Sequence, residues 1–210
     1  MSAKTQRASP LRPFRDRLRR ELLAVAERIV ETEGLEALQA RRLALESKAS
    51  VGTIYNVFGD LDGLILAANE TTLDLLSTPL SEAARATEQR PLLDRLMALA
   101  LAYQSFAYHH LPRWRAVFEY RLPANRELPP AYAAKRAQLL ALIEKAIEGE
   151  VPENEARGHA ARALFAAVHG IIALALDNKL APFDPRSVEA EIRFIVTAAA
   201  RGLGATRRGA

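Results

Sequence analysis

The sequence predicts an all-α protein, and three observations carry that expectation. Ala, Leu, Arg and Glu, all good helix formers, dominate the composition. β-Branched residues never alternate with polar ones over a strand's length. Apolar residues recur instead with a 3.6-residue period along the chain.

Leu18, Leu22, Val25, Ala26 and Ile29 fall on one helical face, which predicts a helix from about residue 15 to Glu33, ended by Gly34. Two short helices follow, at about 40–47 and 51–57, separated by Lys48-Ala49-Ser50. Gly59-Asp60 breaks the pattern. A long helix then starts near Leu61, with Leu61, Leu64, Ile65, Ala68, Thr72, Leu75 and Leu76 on one face, and is expected to fade near Thr78-Pro79. Further helices are expected at about 90–110 with Pro91 in the first turn, 112–120, 130–149, 154–179 and 186–203, for about nine in all. Pro123, Pro129, Pro130, Pro152, Pro182 and Pro185 punctuate the joints, and the chain from Gly204 onward is expected to fray. The shift in composition near residue 78 divides the chain into an arm and helix-turn-helix over 1–60, a linking helix over 61–78, and a larger helical domain over 79–210.

Composition excludes several classes of function. A chain of 210 residues, 50% hydrophobic and 26% charged, is long enough to bury about 70% of its unfolded surface. With no Cys it can form no disulfide, zinc knuckle or thiolate nucleophile, and a reducing, cytoplasmic location is the expectation. The basic N-terminus is followed by no apolar segment of the kind a secretory leader has. The longest apolar run, residues 163–176, is interrupted by His169 and Gly170 and falls short of the roughly 20 residues a span needs, so no membrane partner is expected. Nucleotide-binding, phosphate-loop, zinc-protease and serine-hydrolase motifs are all missing. His109 and His110, being adjacent, point about 100° apart on a helix, which is poor geometry for a shared metal. No catalytic residue, metal or cofactor is expected.

Charge is distributed unevenly. The net charge is +4, yet within residues 1–20 Lys4, Arg7, Arg12, Arg15, Arg17, Arg19 and Arg20 face Asp16 alone. A basic arm on a nearly neutral body suits a polyanionic partner, although a solvated tail kept basic for solubility would look the same.

The segment from Leu43 to Phe58, LALESKASVGTIYNVF, is the most specific part of the chain. A helix-turn-helix needs a supporting helix, a tight turn and a second helix with one face packed and the other turned to base edges. Ser50 suits the N-cap of that second helix. Gly52 allows close approach of the backbone to a phosphate. Ile54 and Phe58, four apart, form the packed stripe, which leaves Thr53, Tyr55 and Asn56 to meet phosphates or bases. Taken singly, without the spacing, Tyr55 and Phe58 read as core aromatics more often than as contacts.

In this order the residues resemble the DNA-binding segment of the TetR family of transcription regulators. Leu43-Ala44 stands at that family's Ile-Ala position, Ser50 at its serine, Gly52-Thr53-Ile54-Tyr55 at its central block, Phe58 at its aromatic, Leu64 at its leucine and Gly34 at the glycine after the first helix. The resemblance covers residues 15–66 and implies duplex DNA, as a palindromic operator, for the partner. It assigns DNA contacts to Ser50, Val51, Gly52, Thr53, Tyr55 and Asn56. The chain departs from the pattern at Gln39, where the family has a phosphate-contacting Thr, at Lys48 in place of the turn glycine, at Val57 in place of His, and at Leu61 in place of a phosphate-contacting Lys. Arg41, Arg42 and Lys48 are candidates to supply the displaced contacts, because a phosphate needs only a donor or cation within reach.

The resemblance also implies that the C-terminal helices hold an unidentified small-molecule effector and a homodimer interface. Residues 103–120 concentrate aromatics in a chain only 6% aromatic, and Tyr103, Phe106, His110, Trp114 and Phe118 are candidates to line the effector site. They could equally pack a helical core. Phe165 and His169-Gly170 resemble an aromatic and His-Gly signature found in one subgroup of the family, which adds His169 to the effector candidates or makes it a bonded core histidine. Small and apolar residues on the last two helices, Ala166, Gly170, Ala173, Ile192, Ile195 and Ala199, are candidates for a two-fold four-helix interface. The expected function is a ligand-responsive repressor. The rival reading is a helical ligand-binding or adaptor protein that has lost DNA affinity, a possibility raised by Leu61.

Overall fold

The structure, a computed structural model, describes residues 11–179 and 184–206. Lys4, Arg7, Pro182, the side chain of Arg12 and the chain after residue 206 lie outside the described residues. Nine α-helices and no strand occur among the described residues: α1 (Leu11–Glu33), α2 (Ala40–Ser47), α3 (Val51–Phe58), α4 (Leu61–Thr87), α5 (Leu92–His109), α6 (Leu111–Glu119), α7 (Pro130–Ile147), α8 (Asn154–Leu176) and α9 (Pro185–Thr206). The chain is all-α, as the periodicity predicts.

Several boundaries differ from expectation: α8 stops at Leu176, and α9 runs through Gly204 to Thr206 where fraying is expected. α1 starts four residues early, because Pro13 sits in a first turn where no N–H partner is needed. A turn of 3₁₀ helix, Leu35–Ala37, follows Gly34, whose φ of 86° suits glycine. Pro91 is the N-cap of α5 rather than part of its first turn. α4 does not fade at Pro79 but continues to Thr87. Pro79 has no N–H for the turn before it, and in that turn the Ser77 and Thr78 hydroxyls donate to the Asp74 carbonyl at 2.8 and 3.4 Å.

The chain forms two compact units, and a single cut in the sequence does not separate them. The first unit runs up to Thr72 and includes Leu111–Glu127; the second takes Leu73–His110 and the chain from Leu128 onward. The packed face of α1 meets α2, α3 and α4 in one core, built on Leu22, Ala26, Ile29, Leu43, Ile54, Phe58 and Leu64. α6 belongs to this unit through specific bonds. Arg113, with its side chain 14% exposed, lies between Glu27 and Glu31 of α1. Buried Asn69 donates to the Ala116 carbonyl at 2.8 Å. Tyr120 donates to Asp62, and Arg126 reaches Asp60 and Asp62 at 2.7 Å each.

In the second unit α5, α7, α8 and α9 pack pairwise. Its core includes Leu99, Tyr103, Ile147, Ala161, Ile172, Ile192 and Val196. Lys135 to Asp74 ties α7 to the second half of α4, and Lys145 to Glu88 ties it to the residue that follows α4. Taken as a whole helix, α8 is long and apolar enough to cross a membrane, which the interrupted run did not suggest, and only 22% of its most apolar window is buried. Ala161, Val168 and Ile172 nevertheless anchor it in the unit's core.

Candidate nucleic-acid interface

α2 begins at Gln39, an extended residue whose side chain makes no capping bond, and ends at Lys48 in the left-handed region at φ 57° and ψ 22°. That conformation turns the chain tightly into Ser50. The Ser50 hydroxyl oxygen accepts from the Thr53 backbone N–H at 3.0 Å and lies 2.8 Å from the Thr53 hydroxyl. One otherwise unpaired N–H at the start of α3 is thereby satisfied. Ile54, fully buried, and Phe58 hold the inner face. Burial of Ile54 alone contributes about 1.5–3 kcal/mol. Gly52, Tyr55 and Asn56 are exposed, Tyr55 at 41%, while Val51, Thr53 and Val57 are half-buried. Tyr55 and Asn56 therefore present hydrogen-bonding groups to solvent, and the Thr53 hydroxyl is shared with the cap.

The exit from α3 depends on two glycines. Gly59, at φ 87°, donates its N–H to the Tyr55 carbonyl at 2.8 Å. Gly63 lies so close to the end of α3 that a Cβ on it would stand 2.1 Å from the Phe58 carbonyl oxygen. Sequence reasoning passed over Gly63. The available signal was a glycine in the first turn of a helix, where propensity opposes it. The Asp60 carboxylate accepts from the Gly63 N–H at 2.8 Å, and that bond, with Arg126 nearby, holds its carboxyl below the usual carboxylate range.

All three candidate cations, Arg41, Arg42 and Lys48, are exposed. Arg42 is in addition engaged by Glu33 at 2.8 Å and by Glu46, which also takes Arg28. The Arg42 hydrogen bond, then that of Arg28, keeps the Glu46 carboxyl low. Leu61 packs half-buried against the core, which accounts for an apolar residue there.

The effector candidates do not all fall in one unit. Trp114, 2% exposed with its ring 5.5 Å from Phe118, is in the first unit with Phe118. Tyr103, Phe106, His110 and His169 are in the second. There the Tyr103 hydroxyl is 2.7 Å from His169 Nδ1, and Phe165 lies 5.7 Å from the Tyr103 ring and 5.4 Å from the His169 ring. Burial lowers the His169 pKa. Phe106 stacks on His110 at 4.9 Å.

Among the interface candidates, Ala166 is exposed and Gly170, Ala173, Ile195 and Ala199 are half-buried. Ile192 is a correction: at 0% exposure it is a core residue and has no surface to offer a partner. Its helical neighbour Phe194, which the sequence reading missed, is 76% exposed and lines an open groove with Ala167, Ile171 and Ile195.

A short capped helix turned outward beside its supporting helix, with a larger helical unit in the same chain, defines a helix-turn-helix protein. Comparison with known proteins specifies the family. Residues 96–199 match the family model described as "Tetracyclin repressor-like, C-terminal domain". The chain is 26% identical over 172 residues to an HTH-type transcriptional regulator of Mycobacterium tuberculosis, covering 81% of this chain and 75% of that one. It resembles the structure of a protein of unknown function from Rhodococcus sp. RHA1, with TM-score 0.71, 25% identity and coverage of 97% and 100%. The fold is also that of a TetR-family transcriptional regulator from Streptomyces coelicolor, with TM-score 0.64, 23% identity and coverage of 91% and 98%. The multidrug binding protein EbrR, solved with imidazole, shares it too, with TM-score 0.61, 23% identity and coverage of 86% and 93%. The chain belongs to the TetR family of transcriptional regulators.

Proposed function

We propose that the protein is a homodimeric, cytoplasmic repressor that holds a palindromic DNA operator through α3 and releases it when a small-molecule effector binds the second unit. The observation that carries this reading is the outward face of α3, where Tyr55 and Asn56 are exposed beside a fully buried Ile54. Arg41 and Lys48 supply phosphate contacts from α2 and the turn. A two-fold dimer would set two such helices about 34–36 Å apart or at a multiple of that spacing. Support for the dimer comes from the exposed apolar surface of α8 and α9, centred on Phe194, Ala166 and the half-buried Gly170, Ala173, Ile195 and Ala199.

The effector reading rests on the pair of Tyr103 and His169, a polar bond set among aromatic rings. EbrR, which shares the fold, is a multidrug binding protein. An effector acts by binding one dimer geometry more tightly than another, typically by about 1–3 kcal/mol.

The test is binding to the DNA that flanks the protein's own coding sequence, measured against salt. A protein making about 6–10 phosphate contacts loses roughly 10³–10⁵ in affinity between 50 and 200 mM salt. No binding at low salt overturns the reading in favour of an adaptor. For the effector, a melting screen suffices, since a ligand at about 100 times its Kd stabilises by about 2.7 kcal/mol.

A further inference from the structure

The helix offered to DNA carries no charge: α3 reads VGTIYNVF. Phosphates of a duplex lying against it must be neutralised from neighbouring elements. At its N-terminal end the nearest cation in sequence is Lys48, two residues before the cap. At its C-terminal end, about 12 Å away by helix length, two cations arrive from α1.

Arg15 Nη2 donates to the Asn56 carbonyl at 3.0 Å. The Arg19 guanidinium lies 4.7 Å from the centre of the Phe58 ring. Arg15 and Arg19 are on the same α1 face as Leu22, Ala26 and Ile29, which are at most 1% exposed. That face is apolar where α1 crosses the core and becomes cationic where it passes the end of α3. The Asn56 carbonyl is one of the last four of α3, which lack partners inside the helix, so a cation is favoured there. Arg15 is exposed, and Asn56 engages one of its five N–H donors. Arg19 is half-buried against Phe58. Arg17 differs from both: it lies over Phe14 at 5.6 Å and pairs with Glu21 at 3.7 Å.

We infer that Arg15 and Arg19 form a second phosphate-binding element on α1, which clamps the C-terminal end of α3 and holds the duplex backbone beside it. This rests on the DNA-binding reading of α3 and adds to it a surface outside the helix-turn-helix segment. The two arginines act both as positioning residues for α3 and as contacts to the duplex backbone.

The test uses the full chain and a random-sequence duplex, so the operator need not be known, because non-specific affinity is almost wholly electrostatic. Binding is measured across about 50 to 200 mM salt for the wild type, Arg15→Ala, Arg19→Ala and Arg15→Lys, with melting temperature recorded for each. One phosphate contact adds about 0.9 to the slope of log affinity against log salt, so losing one per protomer in a dimer removes about 1.8. The wild type's loss of affinity over that salt range should then shrink about 12-fold in each alanine variant. Arg15→Lys should restore the slope, since it keeps the charge. Alanine variants that melt earlier but keep the wild-type slope would reduce the arginines to internal struts and overturn the inference alone. A wild-type chain that binds no duplex at low salt would overturn the DNA-binding reading itself.

Discussion

Replacing Lys48 by glycine should make the protein more stable and its grip on DNA weaker. Lys48 is held at φ 57° and ψ 22°, a conformation that costs an L-residue about 1–2 kcal/mol and costs glycine almost nothing. Glycine also gives the unfolded chain more freedom, which offsets about 0.5–1 kcal/mol of that gain. The net is a stabilisation of about 0.5–1 kcal/mol, or roughly 1–4 °C in Tm for a chain of this size. The same substitution removes one cation per protomer and should lower the salt slope of DNA binding by about 1.8 for a dimer. Lys48→Ala separates the two effects, because alanine keeps the left-handed strain while losing the charge. It should reproduce the change in slope without the gain in Tm. Calorimetric melting and a salt titration of duplex binding check both halves. A fall in Tm for Lys48→Gly would refute the backbone reasoning, and an unchanged slope would show that Lys48 does not face a phosphate.

Three further outcomes are expected. Gly63→Ala forces a Cβ to within 2.1 Å of the Phe58 carbonyl oxygen, a backbone atom that cannot swing aside; overpacking of this kind costs about 1–3 kcal/mol or more, read as a lower Tm together with lost DNA binding. His169 is held neutral by burial, so its folded pKa lies below its unfolded value near 6.5. The unfolded chain then takes up the proton first, and the stability that His169 contributes, complete above that value, is lost as the pH falls below it toward the folded pKa. Wild-type Tm should therefore drop more between about pH 7 and 5 than that of His169→Gln, and parallel curves would contradict this. Phe194→Glu, at a side chain 76% exposed, should leave the protomer folded but shift sedimentation from dimer to monomer. An unchanged dimer would place the interface elsewhere.

Much of the candidate DNA surface was legible in the sequence because its determinants are local. A hydroxyl three residues before the amide it caps, and apolar residues four apart, specify α3 with its inner and outer faces whatever surrounds it. The same locality made α2, the turn at Lys48 and the positions of Tyr55 and Asn56 readable. Where the reading fell short, a neighbouring element of the fold had intervened. Arg42, exposed like Arg41, is also held by Glu33 of α1 and by Glu46 one turn further along α2. Gly63 acquires its meaning only from the path of the Phe58 carbonyl.

By itself the sequence determined an all-α chain, the order of its helices and the face that α3 buries, because helical periodicity and end-capping involve only residues within a turn or so of one another. Tertiary structure decided the rest. It brought Arg15 to the carbonyl of Asn56 across 41 residues, made Ile192 core while leaving Phe194 at the surface, and joined residues 111–127 to the N-terminal unit. Those outcomes depend on which surfaces are removed from water together, a property of the packed chain that no local window of residues contains.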